Sequence, residues 1–370
     1  MSVRDILIVG AGPSGLSAAI AAKEHGLDYL VLEQGVLVNS IFRFPPQMVF
    51  FTTPELLEIG GLPLVSPFDK PTRLEALRYY RRVVDTYDLQ IAYQETVTSV
   101  AREDEGGRSG AGEAGEVGEA GRAGQAGRAG QAGKAEGASG ARESGRVFAV
   151  ETRSSKGVRR VRHARTVIFA IGYYDHPVML DVPGEDLPHV HHYYSEAHAY
   201  YRQRVVIVGG GNSAAEAALE LHRAGAYVTI IHRASELKST IKYWVRPDIE
   251  NRIKEGSIAA RFNARVKEIR PTSVAFVASI DGEPHGEEEL PADAVFLLTG
   301  YRADTDLMCR AGVRLTERQG PVHDPDTFET NVPGLFVAGG AIAGIDTGTI
   351  FIENGRFHGK KIVDVIARRL

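Results

Sequence analysis

One unit, an apolar strand running into a glycine loop and a helix, occurs twice in this chain, 199 residues apart. The first copy opens with Ile6-Leu7-Ile8-Val9, turns through Gly10-Ala11-Gly12-Pro13-Ser14-Gly15 and continues as a helix-like stretch over Leu16–His25. A second apolar run, Tyr29–Leu32, ends on Glu33, 23 positions after Gly10. Glycines at these positions let the chain turn sharply, let backbone approach a pyrophosphate and let the helix pack close to its strand. The helix N-terminus then offers N–H groups and the positive end of its dipole to the phosphates. A carboxylate at the end of the second strand is placed to accept hydrogen bonds from ribose hydroxyls. These residues, Gly10, Gly12, Pro13, Ser14, Gly15 and Glu33, are therefore expected to hold an adenine dinucleotide with a free 2′-hydroxyl.

The second copy reads Val205-Val206-Ile207-Val208, then Gly209-Gly210-Gly211-Asn212-Ser213-Ala214, a helix over Ala215–Ala224 and a strand over Val228–Ile231. That strand ends in His232-Arg233, again 23 positions after the first glycine, with Lys238 a turn further on. A carboxylate there would repel a 2′-phosphate, whereas an imidazole, a guanidinium and an ammonium attract one. Gly209, Gly211, Asn212, Ser213, Ala214, His232, Arg233 and Lys238 are thus expected to form a site that prefers NADPH.

Two such units imply two bound dinucleotides, most naturally a resident flavin, FAD, and a visiting NADPH. At 370 residues the chain has room for one domain per site. Val167–Tyr173 and Ala294–Tyr301 are apolar strands ending in a small-Gly-Tyr corner, and they bracket the second unit as expected if both cross between domains. Gly334–Gly340 reads as a buried strand running into a glycine turn, followed by one amphipathic helix from Thr349 to Leu370. The expected fold is α/β, with two Rossmann-like domains: an FAD domain over 1–179 and 295–370, and an NADPH domain over 180–294 inserted within it.

Composition narrows the function further. The 41 glycines are in excess because 14 of them lie between Gly106 and Gly145, many at every third position. Without proline that stretch does not favour a triple helix, and it is too poor in apolar residues to order itself. It is expected to be a flexible insertion, 104–146, at the tip of a connection between the strand-like runs Glu95–Val100 and Val147–Thr152. A net charge of -4 gives no reason to expect nucleic-acid binding. No apolar run approaches a membrane span and no leader pattern precedes the first strand, so a cytoplasmic enzyme is expected. The single cysteine rules out an internal dithiol pair. His189, His191 and His192 match no zinc spacing, and no metal is expected.

The chain resembles the low-molecular-weight thioredoxin reductase-like flavoproteins, and more closely the bacillithiol disulfide reductase family of the YpdA type. The resemblance rests on Gly10–Ala19, Phe50-Phe51-Thr52-Thr53 with Glu58-Ile59-Gly60, Gly172-Tyr173-Tyr174, Gly209–Ala214, Ile241-Lys242-Tyr243-Trp244 and the run Thr349–Gly359. It implies bound FAD, NADPH as donor, a homodimer, and reduction of a small-molecule disulfide by a hydride relay from NADPH through FAD. It also implies that the Gly339 turn, Thr349 and Ile350 lie against the flavin. Rotation of the NADPH domain would make the segments near Asp175–Arg204 and Glu283–Ala294 the hinges.

Three positions depart from the family pattern. The stretch His192–His198 holds no Cys-x-x-Cys pair, so direct dithiol relay to a protein such as thioredoxin is excluded. Gly340 replaces an aspartate usual in thioredoxin reductases, although the YpdA type also lacks it. Ser14 stands where bacillithiol reductases carry a cysteine, and a hydroxyl cannot pass redox equivalents as a thiolate can. Ser14 is read as packing beside the pyrophosphate or hydrogen-bonding flavin or substrate; no catalytic residue is assigned beyond it. The lone thiol, Cys309, is read chiefly as a packing cysteine, with a displaced redox residue as the other reading. Lys242, Tyr243 and Trp244 either line the cofactor cleft or pack in the interior. The rival functions are a ferredoxin- or quinone-type NADPH reductase, a flavin monooxygenase and a non-catalytic flavin redox sensor.

Overall fold

A computed structural model describes residues 2–104, 146–280 and 283–370. The first unit comprises β1 (Val3–Val9), α1 (Pro13–Glu24), β2 (Tyr29–Leu32), α2 (Asn39–Arg43), α3 (Arg73–Tyr87), β3 (Ile91–Ala92), β4 (Glu95–Asp104), β5 (Arg146–Ser154) and β6 (Arg159–Phe169). The strand order is β3-β2-β1-β6-β5-β4. β1 pairs in parallel with β2 and with β6. Ile6, Leu7 and Ile8 are fully buried, which a central parallel strand covered on both faces requires. The helix that crosses over them buries Ala18, Ala19, Ala21 and Ala22, side chains small enough to bring its axis close to the sheet.

β4 and β5 form an antiparallel pair whose register runs out to Asp104 opposite Arg146. The expected insertion therefore springs from a strand connection, as its flanks suggested; residues 105–145 lie outside the described residues. Because the two strand ends face each other, a short turn can replace 105–145. Shortening the loop through three halvings of length favours the folded state by about 2 kcal/mol in closure entropy. The truncated protein is expected to keep its flavin and an equal or higher melting temperature, read by absorbance and calorimetry.

The chain then passes through β7 (His176–Pro177) into β8 (Val190–His191), β9 (Arg204–Val208), α4 (Asn212–Arg223), β10 (Tyr227–Ile231), α5 (Arg246–Lys254) and β11 (Ala259–Arg261). A meander of β12 (Ala264–Arg270), β13 (Ser273–Ile280) and β14 (Glu283–Pro291) follows, then β15 (Ala294–Leu297). The second parallel sheet has the order β11-β10-β9-β15-β8. The return strand β16 (Tyr301–Arg302) leads to α6 (Thr305–Arg310), β17 (Leu335–Val337), α7 (Ile352–Gly355) and α8 (His358–Ala367). β17 rejoins the first sheet beside β6, so the second unit is inserted in the first, as expected.

Three expectations are corrected. β15 hydrogen-bonds β9 along its whole length, so the boundary expected at 294/295 cuts a strand of the second sheet. The segment 283–294, expected as a hinge, holds the edge strand of the meander, and the chain returns to the first unit after the Ala294–Tyr301 run. The return crossing is the antiparallel ribbon of β16 with β7, tightened by Val178 N–H donating to Gly300 O at 3.0 Å and Thr299 Oγ1 donating to Val178 O at 2.6 Å. Finally, the single C-terminal helix is two helices. Asn354 caps the first, accepting from Phe351 N–H and donating to Thr349 O, both at 2.9 Å, so α7 begins at Ile352 rather than Thr349, and a turn at 356–357 separates it from α8.

Candidate nucleotide-binding cleft

The two glycine loops repeat each other in detail. Gly10 N–H donates to Leu32 O at 2.8 Å and Gly209 N–H to Ile231 O at 3.0 Å. The neighbouring strand ends likewise: Ala170 N–H donates to Val9 O and Leu298 N–H to Val208 O, both at 2.8 Å. Both helices start without a side-chain cap, at Gly12 and Gly211, whereas α3 carries a full capping box from Thr72 and Glu75. First-turn N–H groups that no side chain satisfies are what an anionic ligand takes up at a helix N-terminus. The loops fit two dinucleotide phosphates on this ground.

One continuous cleft of about 1370 Å³ joins the loops and touches Gly10, Gly12, Pro13, Ser14 and Glu33 on one side, Gly209, Gly211, Asn212, Ser213, Arg233 and Lys238 on the other. This exceeds the roughly 300–1,000 Å³ of a single small-ligand site, as two ligands require. Glu33 is 4% exposed; its carboxylate accepts from Ala11 N–H and Gly35 N–H, each at 2.8 Å. It braces the loop and keeps lone pairs toward the cleft. Burial pushes this carboxyl above the ordinary glutamate value, against the pull of the two backbone donors.

Several assigned residues take a different part from the one expected. His232 is 6% exposed, with its ring flush on Gly210: a Cβ there would lie 2.5 Å from the imidazole. Burial first, then Lys238 and Arg233, lowers its pKa; the ring shapes the loop, and the positive charge comes from Arg233 and Lys238. Lys238 N–H donates to Gly210 O at 2.9 Å, which lays that residue over the loop. Asn212 staples the following segment, donating to Thr240 O at 3.1 Å and accepting from Lys242 N–H at 2.8 Å. Gly339 and Thr349 do not line the cleft; their neighbours Ala338, Gly340, Gly348 and Ile350 do. Gly339 N–H donates to His358 Nδ1 at 3.1 Å, and burial first holds the His358 pKa down at about 4, so the ring remains an acceptor. Thr349 Oγ1 donates to Asp346 O at 3.0 Å. At Gly340 a Cβ would sit 2.6 Å from the Tyr173 ring, leaving no room for the aspartate of thioredoxin reductases.

Ser14 Oγ donates to Gly355 O at 3.0 Å, tying α1 to α7 across the cleft floor. Removing this tie by Ser14→Ala is expected to cost about 1 kcal/mol and to leave NADPH turnover standing, as calorimetry and a turnover assay would read. Cys309 is exposed on α6, so the packing role expected for it is overturned: the helix buries Leu307 and Met308 instead. Tyr243 is exposed, which removes the interior reading for it. Trp244 lines the cleft, with Lys70 Nζ of the first unit 3.5 Å above its ring. His191 packs on Phe296 at 5.2 Å between centroids.

Sequence reasoning missed the carboxyls of the cleft wall. Glu95, Asp175, Glu216 and Asp248 are paired with Arg162, Arg43, Lys242 and Arg223. Glu220 accepts from Tyr194 Oη at 2.7 Å, and Asp304 caps α6 by accepting from Leu307 N–H at 2.9 Å. Glu353, also on this wall, forms no ion pair among the described residues; the Thr52 hydroxyl and its own backbone N–H hydrogen-bond it. Its only sequence signal was membership of the run Thr349–Gly359.

The model of the pyridine nucleotide-disulphide oxidoreductase family matches residues 7–108 and 141–339. The chain is similar to bacilliredoxin reductase Bdr of Bacillus subtilis, at 38% identity over 98% of this chain and 97% of that protein. Its structure is similar to that of bacillithiol disulfide reductase Bdr (YpdA) from Bacillus cereus, with a TM-score of 0.85, 35% identity and 100% of both chains covered. The Staphylococcus aureus counterpart gives a TM-score of 0.81 at 34% identity over 99% of this chain and 98% of that one. Neither the ferredoxin or quinone reductase, the monooxygenase nor the redox-sensor reading is favoured by these likenesses. Among the described residues no helix is long and apolar enough to cross a membrane. With both nucleotide units covered, the chain belongs to the pyridine nucleotide-disulphide oxidoreductase family, on its thioredoxin reductase-like, YpdA-type branch, and is an FAD- and NADPH-dependent flavoenzyme.

Proposed function

We propose that this enzyme reduces a low-molecular-weight thiol disulfide, bacillithiol disulfide, with NADPH as donor. The observation that carries the reading is full-length likeness to bacillithiol disulfide reductases in a chain with one continuous cleft that reaches both glycine loops. Bound FAD would supply the two-electron chemistry that links NADPH to the disulfide. The chain's own residues position and charge the site. Gly10, Gly12, Ser14 and Gly15 with the start of α1 receive the FAD pyrophosphate, and Glu33 faces the ribose. Gly209, Gly211, Ser213 and Ala214 with the start of α4 receive the NADPH pyrophosphate. Arg233 and Lys238 hold its 2′-phosphate, and Ile350 with Gly340 borders the flavin ring.

Ser14 fills the slot of the family cysteine, so the disulfide is reduced without a covalent bond to the protein there. We place the domain boundaries at 1–179 with 299–370 and at 180–298. A cytoplasmic location follows from the need for a reduced thiol pool. A homodimer would cover large apolar side chains that the first unit exposes, among them Phe42, Val65, Phe68 and Phe357. Two thiols formed per NADPH consumed, with bacillithiol disulfide as sole acceptor, is the expected stoichiometry. NADPH consumption without thiol release would reject the assignment.

A further inference from the structure

Reducing a disulfide with NADPH requires a proton as well as an electron pair. The S–S bond breaks, hydride supplies two electrons and one proton, and one more proton is needed to give two thiols and NADP⁺. A thiolate leaves more slowly the higher the pKa of its thiol, so protonating the alkyl thiolate as it departs speeds the step, and this chain has no thiol in the cleft to share the burden. A side chain on the wall can supply that proton. Ordinary tyrosines there hold their protons too tightly: burial first pushes Tyr173 up, and Tyr174 to about 12. His232 lies at the other nucleotide end, buried against Gly210. His176 is directed to Asp304.

Among the carboxyls, Glu95, Asp175, Glu216 and Asp248 are paired with cations, and Glu33 braces its loop through two backbone N–H groups. Glu353 is different. It stands at the start of α7, on the cleft wall with Ile350, Phe351 and Gly340, under an apolar corner formed by Phe51 and Phe351, whose centroids are 5.3 Å apart. The hydroxyl of the buried Thr52 and the Glu353 backbone N–H donate to it. Arg356, whose charge acts on Glu353 without pairing with it, donates both to Glu55 O and to Glu58 O at 2.6 Å.

Resting on the function proposed above, we infer that Glu353 is the catalytic acid that protonates the departing thiolate of the disulfide substrate. The carboxylate left behind regains its proton from water at the cleft mouth. Burial, the largest influence on the group, holds its pKa above the ordinary glutamate value, and Thr52 and Arg356 only partly oppose this. A group poised upward in this way is suited to donate near neutral pH.

Glu353→Gln tests the role, since the amide keeps shape and polarity but has no acidic proton. With bacillithiol disulfide at pH 7, turnover is expected to fall by ~100-fold, the usual size of a lost general acid. NADPH bleaching of the flavin is expected to stay at the wild-type rate. With a nitroaryl disulfide, whose thiolate leaves unprotonated, the variant should match the wild type. An independent readout needs no turnover. A carboxyl whose folded pKa is raised stabilises the fold at low pH and ceases to as pH rises through that pKa. The melting temperature of wild type should therefore fall relative to Glu353→Gln as pH is raised from 4 to 8. Equal losses with both acceptors, full activity with bacillithiol disulfide, or a pH-independent difference in melting temperature would each overturn the role. Wild-type protein that fails to turn over bacillithiol disulfide defeats the substrate assignment, and the proposal with it.

Discussion

Gly10→Ala is expected to purify without flavin, and Gly209→Ala to keep its flavin but resist reduction by NADPH. Both glycines have backbone angles that disfavour a side chain, with φ of +108° and +152°. In both, an added Cβ would lie 2.4 Å from a carbonyl oxygen at the end of the next strand, Ala170 O for Gly10 and Leu298 O for Gly209. Those carbonyls belong to strand ends that hydrogen-bond the same turn, so they cannot retreat without unpicking the sheet where the helix starts. Strain from a disallowed φ is of order 1–3 kcal/mol, and overpacking adds about 1–3 kcal/mol. The sum is about 2–6 kcal/mol, at 1.4 kcal/mol per tenfold roughly 30-fold to 10⁴-fold in affinity for the dinucleotide at that loop. Flavin absorbance of the purified variants and anaerobic titration with NADPH separate the two outcomes. Loss of flavin from Gly209→Ala would show that the two loops do not serve separate cofactors.

The second large effect concerns donor choice. Replacing Arg233 and Lys238 together by serine is expected to erase most of the preference for NADPH over NADH. A charge-assisted hydrogen bond contributes about 1.5–3 kcal/mol, so loss of the guanidinium alone should lower the ratio of kcat/KM values about 10- to 150-fold. The constants for NADH should change little, because NADH carries no 2′-phosphate. His232 is not part of this exchange. Its ring is buried against Gly210 and its burial disfavours the charged form, so changing it should deform the loop for both donors alike. An unaltered preference in the double variant would place the phosphate elsewhere.

The nucleotide units were legible because each is local. Apolar run, glycine turn, helix and acidic or basic strand end fall within some thirty residues; the shared spacing marks both sites, and the residue type at the strand end, Glu33 against His232-Arg233, distinguishes them. What escaped depends on contacts distant in sequence. The carboxyl of Glu33 looked like a ribose ligand, but that it also braces Ala11 and Gly35 is visible only in three dimensions. His232 counted as charge until its burial was known. The helical period runs unbroken through 349–370, yet Asn354 bonds backward to Thr349 and Phe351 and caps a helix that starts only at Ile352, with a turn at 356–357 before the next one. Glu353 carried no pattern of its own; its significance lies in its place on the cleft wall without an ion pair among the described residues. Cys309 belongs to a helix too short to show which face turns outward, and the ribbon of β7 with β16 is too short to register as strand.

The central claim is that electrons pass from NADPH through one flavin to a small disulfide in a chain lacking the family thiol. An anaerobic spectral experiment tests it most directly. NADPH should bleach the flavin faster than NADH does, and oxidised bacillithiol, added next, should restore the oxidised flavin spectrum with release of two thiols per flavin. A flavin that NADPH bleaches but bacillithiol disulfide leaves reduced would contradict the account.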